Sequence, residues 1–171
     1  MKRRQLIARA LVWLGAAAAW PLLALRAEAS SLREQLARSP YVYVSPLRSD
    51  GSESRCHAEV WFAWLDESVV MIVSSDRWKA RAIGRGLAKA RIWVGDQGRW
   101  KGLLSLNERF RSAPSFDAIG EQVADEALLD RLLAAYEAKY PEEIGKWRDK
   151  MRRGYADRSR VLVRYRPEQP L

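Results

Sequence analysis

The residues best suited to chemistry form one short run in which hydroxyls are followed by cations. Ser74 and Ser75 end an apolar stretch, and Lys79 and Arg81 follow in the next helical turns. Hydroxyls and cationic side chains where a buried strand meets a helix favour a phosphate. The alternative is a solvated basic helix face that begins with a hydroxyl cap, and composition alone does not separate the two.

Other catalytic constellations find little support. Cys56 is the single cysteine and His57 the single histidine, which excludes an intrachain disulfide framework and a zinc site of usual composition. A histidine triad could use only His57, and Cys56 beside it would point to the opposite face of a strand. Gly84-x-Gly86 lacks the preceding strand and the third glycine of a dinucleotide-binding loop. We therefore assign no catalytic residue and no metal ligand from the sequence.

The first 29 residues are typical of a signal peptide. Basic residues at positions 2–4 precede a mostly apolar stretch over 6–25, and Ala-Glu-Ala ends at residue 29. The apolar stretch is alanine-rich and contains glycine and proline, which makes a permanent membrane anchor the weaker alternative. We expect cleavage after residue 29, a mature domain over 30–171, export to the periplasm or the exterior, and no stable membrane insertion afterwards.

The leader resembles a twin-arginine export signal, because Arg3-Arg4 is followed by Gln5 and then by Leu6-Ile7. No serine or threonine precedes the pair, so an ordinary secretory leader is the alternative. Twin-arginine export carries folded proteins, often with a cofactor already bound. The resemblance therefore points to a prosthetic group that is loaded before export.

The net charge of +9 suggests nucleic acid until its location is considered. Removing residues 1–29 takes away five basic residues and one acidic residue, which leaves +5. The chain has 171 residues and 48% hydrophobic residues, enough for one domain with a packed core. We expect no nucleic-acid partner.

Alternating and continuous apolar runs predict a β-rich α+β domain. The predicted strands are 41–44, 55–65, 69–73, 90–94, 100–106 and 159–165. The predicted helices are 30–38, 77–87 and 121–140, with helical spacing continuing through 153, and 109–119 is a predicted loop. Short connections between antiparallel strands favour a small barrel over a doubly wound sheet.

The order of these motifs resembles the pyridoxamine 5′-phosphate oxidase-like split β-barrel family. The resemblance comprises Tyr41-Val42-Tyr43-Val44, the Asp-Gly turn at 50–51, Val60-Trp61-Phe62, Ser74-Ser75 and Lys79-x-Arg81. It continues through the fourth strand, the LLAAYEAKYP helix and the closing strand. It covers most of residues 41–167.

The resemblance implies a six-stranded antiparallel split barrel, with a short helix after strand 3 and a helical excursion before the last strand. It further implies a homodimer that binds FMN, or the deazaflavin F420, in grooves at the dimer interface. By this likeness Ser74 or Ser75, Lys79 and Arg81 would hold the phosphate, and Val60 and Trp61 would line the isoalloxazine ring.

The chain lacks the C-terminal Arg-x-His element of the true vitamin-B6 oxidase, since the corresponding segment is Arg164-Tyr165-Arg166-Pro167. Two functions follow. The first is an exported oxidoreductase that uses FMN or F420 to transfer hydride or electrons to or from a small organic substrate. The alternative is a non-catalytic flavin or haem carrier or sensor, in which His57 could serve as an axial ligand.

Overall fold

Strands and short helices alternate along residues 32–97 and 108–171, the part of the chain that the computed structural model describes. The strands are β1 Val42–Pro46, β2 Ala58–Val60, β3 Ala63–Leu65, β4 Ser68–Ser74, β5 Lys89–Val94, β6 Ser115–Val123 and β7 Arg160–Pro167. The helices are α1 over residues 32–38, α2 Trp78–Gly84, α3 Glu126–Lys139 and α4 Arg148–Ala156, with 3-10 turns at Glu108–Ser112 and Ile144–Lys146. The predicted leader over 1–29 and the predicted strand over 100–106 lie outside the described residues.

All strand pairs are antiparallel, and the sheet has the order β2-β1-β5-β6-β7-β4-β3. β2 and β3 are its two edges, yet only Trp61 and Phe62 separate them along the chain. Three Cα steps span at most about 11 Å, so the two edges must lie close together. The sheet therefore curls into an almost closed barrel, as the sequence predicts.

The described sheet has seven strands, so the prediction of six was wrong. The predicted strand over 55–65 is in fact two strands, because the chain leaves β1 after Val60 and joins β4 at Ala63. The single run over 55–65 thus provides both edge strands of the sheet. Periodicity along the run does not reveal the change of partner.

Both faces of β4 are buried, which confirms its prediction as a doubly buried strand. Val69, Met71 and Val73 belong to an inner apolar cluster inside the barrel, which α1 and α2 help to enclose. Val70 and Ile72 belong to an outer cluster covered by α3 and α4. Within the described ranges, no helix has the length and apolar character that crossing a membrane requires.

The segment before α3 differs from its prediction. The predicted loop over 109–119 and helix over 121–140 were both wrong at this point, because residues through Val123 form β6 and pair with β5 and β7. The helix begins only after Asp125, whose side chain accepts a hydrogen bond from the Leu128 backbone N–H at 2.9 Å. β6 forms because it pairs with β5 and β7, which lie far away in the sequence, so the local pattern does not reveal it.

Gly120 of β6 occupies a position that only glycine fits. A Cβ there would lie 2.5 Å from Cε1 of Tyr165 and 3.0 Å from Cδ1 of Ile83. We expect Gly120→Ala to lower the free energy of unfolding by about 1–3 kcal/mol through overpacking, as measured by urea denaturation. Gly145→Ala is the matched control, because a Cβ at Gly145 meets no atom within 4 Å. Equal stability of the two variants would contradict this packing.

Candidate functional site

The end of β4 and the start of β7 are locked together. Ser74 lies opposite Arg160 in the β4–β7 ladder. One residue further, the backbone N–H and the hydroxyl of Ser75 both donate to the Ser159 carbonyl oxygen, at 2.9 and 3.1 Å. We call residues 74–79 together with 158–160 the junction site. It joins the predicted phosphate-binding run to a second segment, for which the sequence predicts the strand over 159–165 but no site residue.

A tight turn connects β4 to α2. The Arg77 N–H donates to the Ser74 carbonyl oxygen at 3.1 Å, and Arg77 is the N-cap residue of α2 without any side-chain capping bond. The hydroxyl cap of the alternative interpretation is therefore not formed, since Ser75 directs its hydroxyl to β7 instead. α2 has only seven residues, so the chemistry of this region rests on its side chains rather than on a helix dipole.

Lys79 is the half-buried cation of the junction site. Desolvation and, to a smaller extent, the neighbouring Arg77 lower the pKa of Lys79 to about 8, while Cys56 acts in the opposite direction. Lys79 is therefore within electrostatic range of both Arg77 and Cys56. An anion that enters the site would raise the pKa of this amine and so stabilise its charged form.

Arg81 lies on a different side of α2 from Lys79. Two helical residues rotate the side chain by about 200°, and Arg81 is exposed where Lys79 is half-buried. Lys79 and Arg81 thus lie on different sides of α2, and Lys79 is the one that is desolvated beside Arg77.

Val60 and Trp61 point into different surroundings. Val60 is half-buried against the inner cluster, whereas Trp61 packs against the outer cluster. The Trp61 ring stacks on Tyr140 with a centroid distance of 4.3 Å and an interplanar angle of 8°. It also meets Tyr136 edge-on at 5.9 Å.

The break between β2 and β3 is held by side chains of α3 and the residue that follows it. The Tyr136 hydroxyl donates to the Trp61 carbonyl oxygen at 2.8 Å. The Tyr140 hydroxyl donates to the Pro40 carbonyl oxygen at 2.6 Å and accepts from the Phe62 N–H at 3.2 Å. We call these contacts, with the Lys139 bond described next, the strand-break clamp. The family resemblance includes the LLAAYEAKYP helix but does not predict these contacts.

Lys139 completes the clamp. Its Nζ donates to the Phe62 carbonyl oxygen at 3.3 Å and lies 3.5 Å from the centroid of the Phe62 ring. Desolvation lowers the pKa of Lys139 to about 8. This lysine is therefore occupied with the backbone and an aromatic face.

Cations without an acidic partner collect on two segments. Most other lysines and arginines of the described residues pair with a carboxylate, as Arg91 does with Asp117 and Arg164 does with Glu121. The two segments are residues 77–85 and 146–160. With respect to the described residues, 32–97 and 108–171, they carry nine cations that form no ion pair: Arg77, Lys79, Arg81, Arg85, Lys146, Lys150, Arg153, Arg158 and Arg160. Of these nine, Arg77, Lys79, Arg158 and Arg160 belong to the junction site, where the β4–β7 ladder brings the two segments together.

His57 and Glu59 belong to a separate aromatic cluster. The His57 ring lies 4.8 Å from Phe110, which stacks on Tyr43 at 5.0 Å, and the Tyr43 hydroxyl donates to Glu59 at 2.8 Å. Nδ1 of His57 is buried and has no partner in the described part of the chain. Among those residues, no cluster of three or more His, Cys, Asp or Glu side chains could hold a metal ion.

A cleft of about 440 Å³ lies beside the C-terminal residues. Its lining includes Arg91, Asp117, Glu168 and Leu171 and none of the predicted site residues. Arg91 is already held there by the Asp117 carboxylate through two hydrogen bonds, at 2.8 and 3.0 Å. Arg91 is the one cationic side chain among the described residues that line the cleft, and Asp117 neutralises it. The cleft is therefore a poorer anion site than the junction site.

Comparison with solved structures decides the architecture. The haem storage protein HutZ from Vibrio cholerae superposes with a TM-score of 0.53 at 15% identity, covering 82% of this chain and 89% of HutZ. A Listeria innocua protein assigned as a pyridoxamine 5′-phosphate oxidase gives 0.53 at 13% identity, covering 83% and 94%. ChuZ from Campylobacter jejuni gives 0.53 at 11% identity, covering 83% and 53%. The chain is a split barrel.

At these low sequence identities, the likeness to the solved structures shows the split-barrel fold alone. A scan against protein-family models finds no match to the chain, and neither does a search of the curated proteins. The predicted architecture is thus confirmed, apart from the strand count. The chemistry has to be argued from the residues of this split barrel.

The strand-break clamp yields a stability prediction. Tyr140→Phe removes the hydroxyl that serves the Pro40 carbonyl and the Phe62 N–H, which leaves buried backbone groups without a partner. We expect a loss of about 1–3 kcal/mol in the free energy of unfolding of the split barrel, measured by urea denaturation. Tyr155→Phe is the control, since no described residue bonds to the Tyr155 hydroxyl. A loss no larger than that of the control would contradict the clamp.

Proposed function

We propose that this split barrel binds FMN through the phosphate at the junction site and acts as an oxidoreductase on a small organic substrate. The observation that carries the proposal is the gathering of unpaired cations at the serine-bearing end of β4. F420 is the alternative cofactor, because it also carries a phosphate. FMN supplies hydride and electron transfer when bound, so this chain needs to contribute binding, orientation and exclusion of water.

The donors present at the junction site fit a phosphate. Arg77 and Lys79 lie close together without an acidic partner in the described residues, and Ser74 has a hydroxyl that no described residue engages. The Ser75 hydroxyl already donates to Ser159. We therefore assign the phosphate hydrogen bond to Ser74 and a structural role to Ser75. Asp76 is the nearest acid along the chain, and it is exposed.

Lys79 would form the principal charged contact, and Arg81 would contribute from the rim. We place Val60 beside the isoalloxazine ring, since it is half-buried on β2. Cys56 precedes this strand by two residues and is within electrostatic range of Lys79. Trp61 would act from the other side of the strand. Its stacking on Tyr140 fixes the break after Val60 and so positions that residue.

Two further elements belong to this proposal. The leader over 1–29 would export the protein, with its cofactor already loaded, to the periplasm or the exterior. The mature chains would pair as a homodimer. Exposed Leu87 and Ile119, 55% and 47% accessible, support such pairing, since they lie near each other where Gly120 bonds to Ala88.

Binding of FMN tests the proposal directly. We expect protein purified from a flavin-producing host to be yellow, and the cofactor-free protein to bind FMN in a fluorescence titration. Lys79→Ala removes a charge-assisted contact and should weaken FMN binding by about tenfold or more, while riboflavin, which lacks the phosphate, is unaffected. Lys146→Ala, an exposed lysine outside the junction site, is the matched control. Wild-type protein that binds neither FMN nor F420 would refute the function.

The pH dependence of FMN affinity provides a second test. Only the protonated Lys79 amine attracts the phosphate dianion, and the pKa of this amine is about 8 in the free protein. Affinity should therefore fall as pH rises above about 8, by up to about tenfold for each pH unit, and level off above the higher pKa that the amine has in the complex. Lys79→Arg keeps its charge and should bind with little change over this range. Parallel profiles for the two proteins would exclude Lys79 from the phosphate contact.

A haem carrier is the second candidate, and one observation favours it. His57 is the only histidine, and its buried Nδ1 has no partner in the described residues. Titration with haemin separates the candidates. A Soret band that appears in wild-type protein and is lost in His57→Ala would favour the carrier, whereas a flavin spectrum that His57→Ala leaves unchanged would favour the oxidoreductase.

A further inference from the structure

We propose that the outer side of α4 docks on a membrane surface that carries anionic phospholipid headgroups. This surface comprises Lys146, Trp147, Lys150 and Arg153, together with Arg160 of β7, and we call it the α4 face. The inference goes beyond the proposed function and does not depend on a flavin. It concerns attachment at the level of the headgroups rather than insertion across the bilayer.

The two flanks of α4 differ in how their cations are compensated. Arg148 and Arg152 pair with carboxylates of α3, at 2.9 and 2.6 Å. At about 100° per residue, positions 150 and 153 lie about 100–160° around the helix from positions 148 and 152. Lys150 and Arg153 therefore point away from the acids of α3. Both are exposed, and neither forms an ion pair with a described residue.

Trp147 is an exposed aromatic ring among these cations. It is 41% accessible, and Nζ of Lys150 lies 5.2 Å from the centroid of its ring. Its carbonyl oxygen accepts the Met151 N–H at 2.8 Å, so helical spacing applies from Trp147 onward. A large ring with an apolar body and a polar N–H, set among cations, is the kind of group that is enriched at membrane–water interfaces.

Arg160 extends the α4 face along the helix. Trp147, Lys150 and Gly154 follow one another at three- and four-residue spacing, so they share one side of α4. The stem of Arg160 lies over Gly154, since a Cβ at Gly154 would approach Cδ and Cγ of Arg160 to 2.7 and 2.8 Å. The guanidinium group takes no part in these contacts and has no acidic partner among the described residues. An indole, an amine and a guanidinium thus lie in one row.

The positive charge of residues 30–171 is concentrated around this face. Residues 142–160 carry seven basic and four acidic residues, which gives +3 of the total of +5. The four acids are Glu142, Glu143, Asp149 and Asp157, and none of them forms an ion pair with a described residue. Clusters of four or more lysines and arginines on a helix surface are typical of segments that bind anionic lipids. The four cations of the α4 face form such a cluster.

The shape of the α4 face favours a bilayer over an acidic peptide or a nucleic acid. Peptides dock in grooves or along sheet edges, whereas this face is the outer surface of a helix and contributes no residue to the cleft beside the C-terminus. Single-stranded nucleic acid stacks its successive bases on several aromatic rings, and the α4 face has one. Long cationic side chains adapt to a fluid array of headgroups, while their stems and the indole reach the apolar boundary below.

Binding to lipid vesicles tests the proposal. The chain without residues 1–29 keeps every described strand and helix, and it lacks the apolar leader, which would bind vesicles by itself. We expect it to co-sediment with mixed vesicles of phosphatidylcholine and phosphatidylglycerol, and to bind pure phosphatidylcholine at least about tenfold more weakly. Added salt should weaken binding to the anionic vesicles, because it screens the attraction.

Variants of the α4 face locate the contact. Lys150→Glu combined with Arg153→Glu should weaken binding to the anionic vesicles by about tenfold or more. Trp147→Ala should weaken it by about threefold or more through loss of the interfacial ring. Arg38→Glu combined with Arg48→Glu is the matched control, because it makes the same change of net charge at two exposed arginines of other segments. Urea denaturation verifies that each variant is folded.

Three results would overturn the docking surface. These are equal binding to the two kinds of vesicle, an equal loss in the matched control, and tighter binding of DNA or polyglutamate than of anionic vesicles at the same salt concentration. The FMN titration remains an independent measurement, since Lys150 and Arg153 lie outside the junction site. Loss of vesicle binding with FMN affinity intact in the double variant supports the docking surface and leaves the proposed function as it stands.

Discussion

The backbone groups at Trp61 and Phe62 set the constraint on which this fold depends. The chain must leave one edge of the sheet and join the other within two residues, so these peptide groups lose their ladder partners in the buried wall of the barrel. Tyr136, Lys139 and Tyr140 replace those partners with side-chain bonds. The helix α3 is thus both the cover of the outer cluster and the closure of the barrel.

Closure in turn determines where the chemistry lies. β3 occupies one edge of the sheet, and β4 lies between β3 and β7. Because β4 and β7 are antiparallel, the last residues of β4 meet the first residues of the final strand. Ser75 fixes that meeting with two bonds to Ser159. Elsewhere on the sheet, cations face carboxylates and neutralise one another, as in the Arg164–Glu121 pair. Among the described residues, several arginines and a desolvated lysine gather without such compensation near the junction, and this asymmetry is the physical basis of the proposal of an anionic ligand.

Much of this arrangement could be predicted from the sequence, and the failures have a common cause. The run over 69–73 is apolar at every position, so its double burial follows from composition. Lys79 could be proposed as a phosphate contact because it follows a strand end with hydroxyls. By contrast, β6 contains Gly120 and alternates weakly, and its stability comes from pairing with β5 and β7. The split of the predicted strand over 55–65 likewise depends on which neighbours its two halves meet.

The same reasoning explains which site residues were missed. Arg160 lies 86 positions after Ser74, and its relation to that serine exists only through strand register. No local pattern marks it. Gly154 gives a local signal only as a glycine within a helix, and its meaning becomes clear once Arg160 is seen to pack on it. Residues near Lys79 along the chain, such as Arg81, are easier to propose and turn out to lie on another side of the helix.

The central claim is that a cofactor phosphate binds where β4 meets β7. The most direct measurement is a crystal structure of the protein with FMN bound. We expect the phosphate within hydrogen-bond distance of the Ser74 hydroxyl and the Lys79 amine, with the Ser75–Ser159 bonds intact. A phosphate bound instead in the cleft beside Arg91, or on the aromatic cluster around His57, would contradict it.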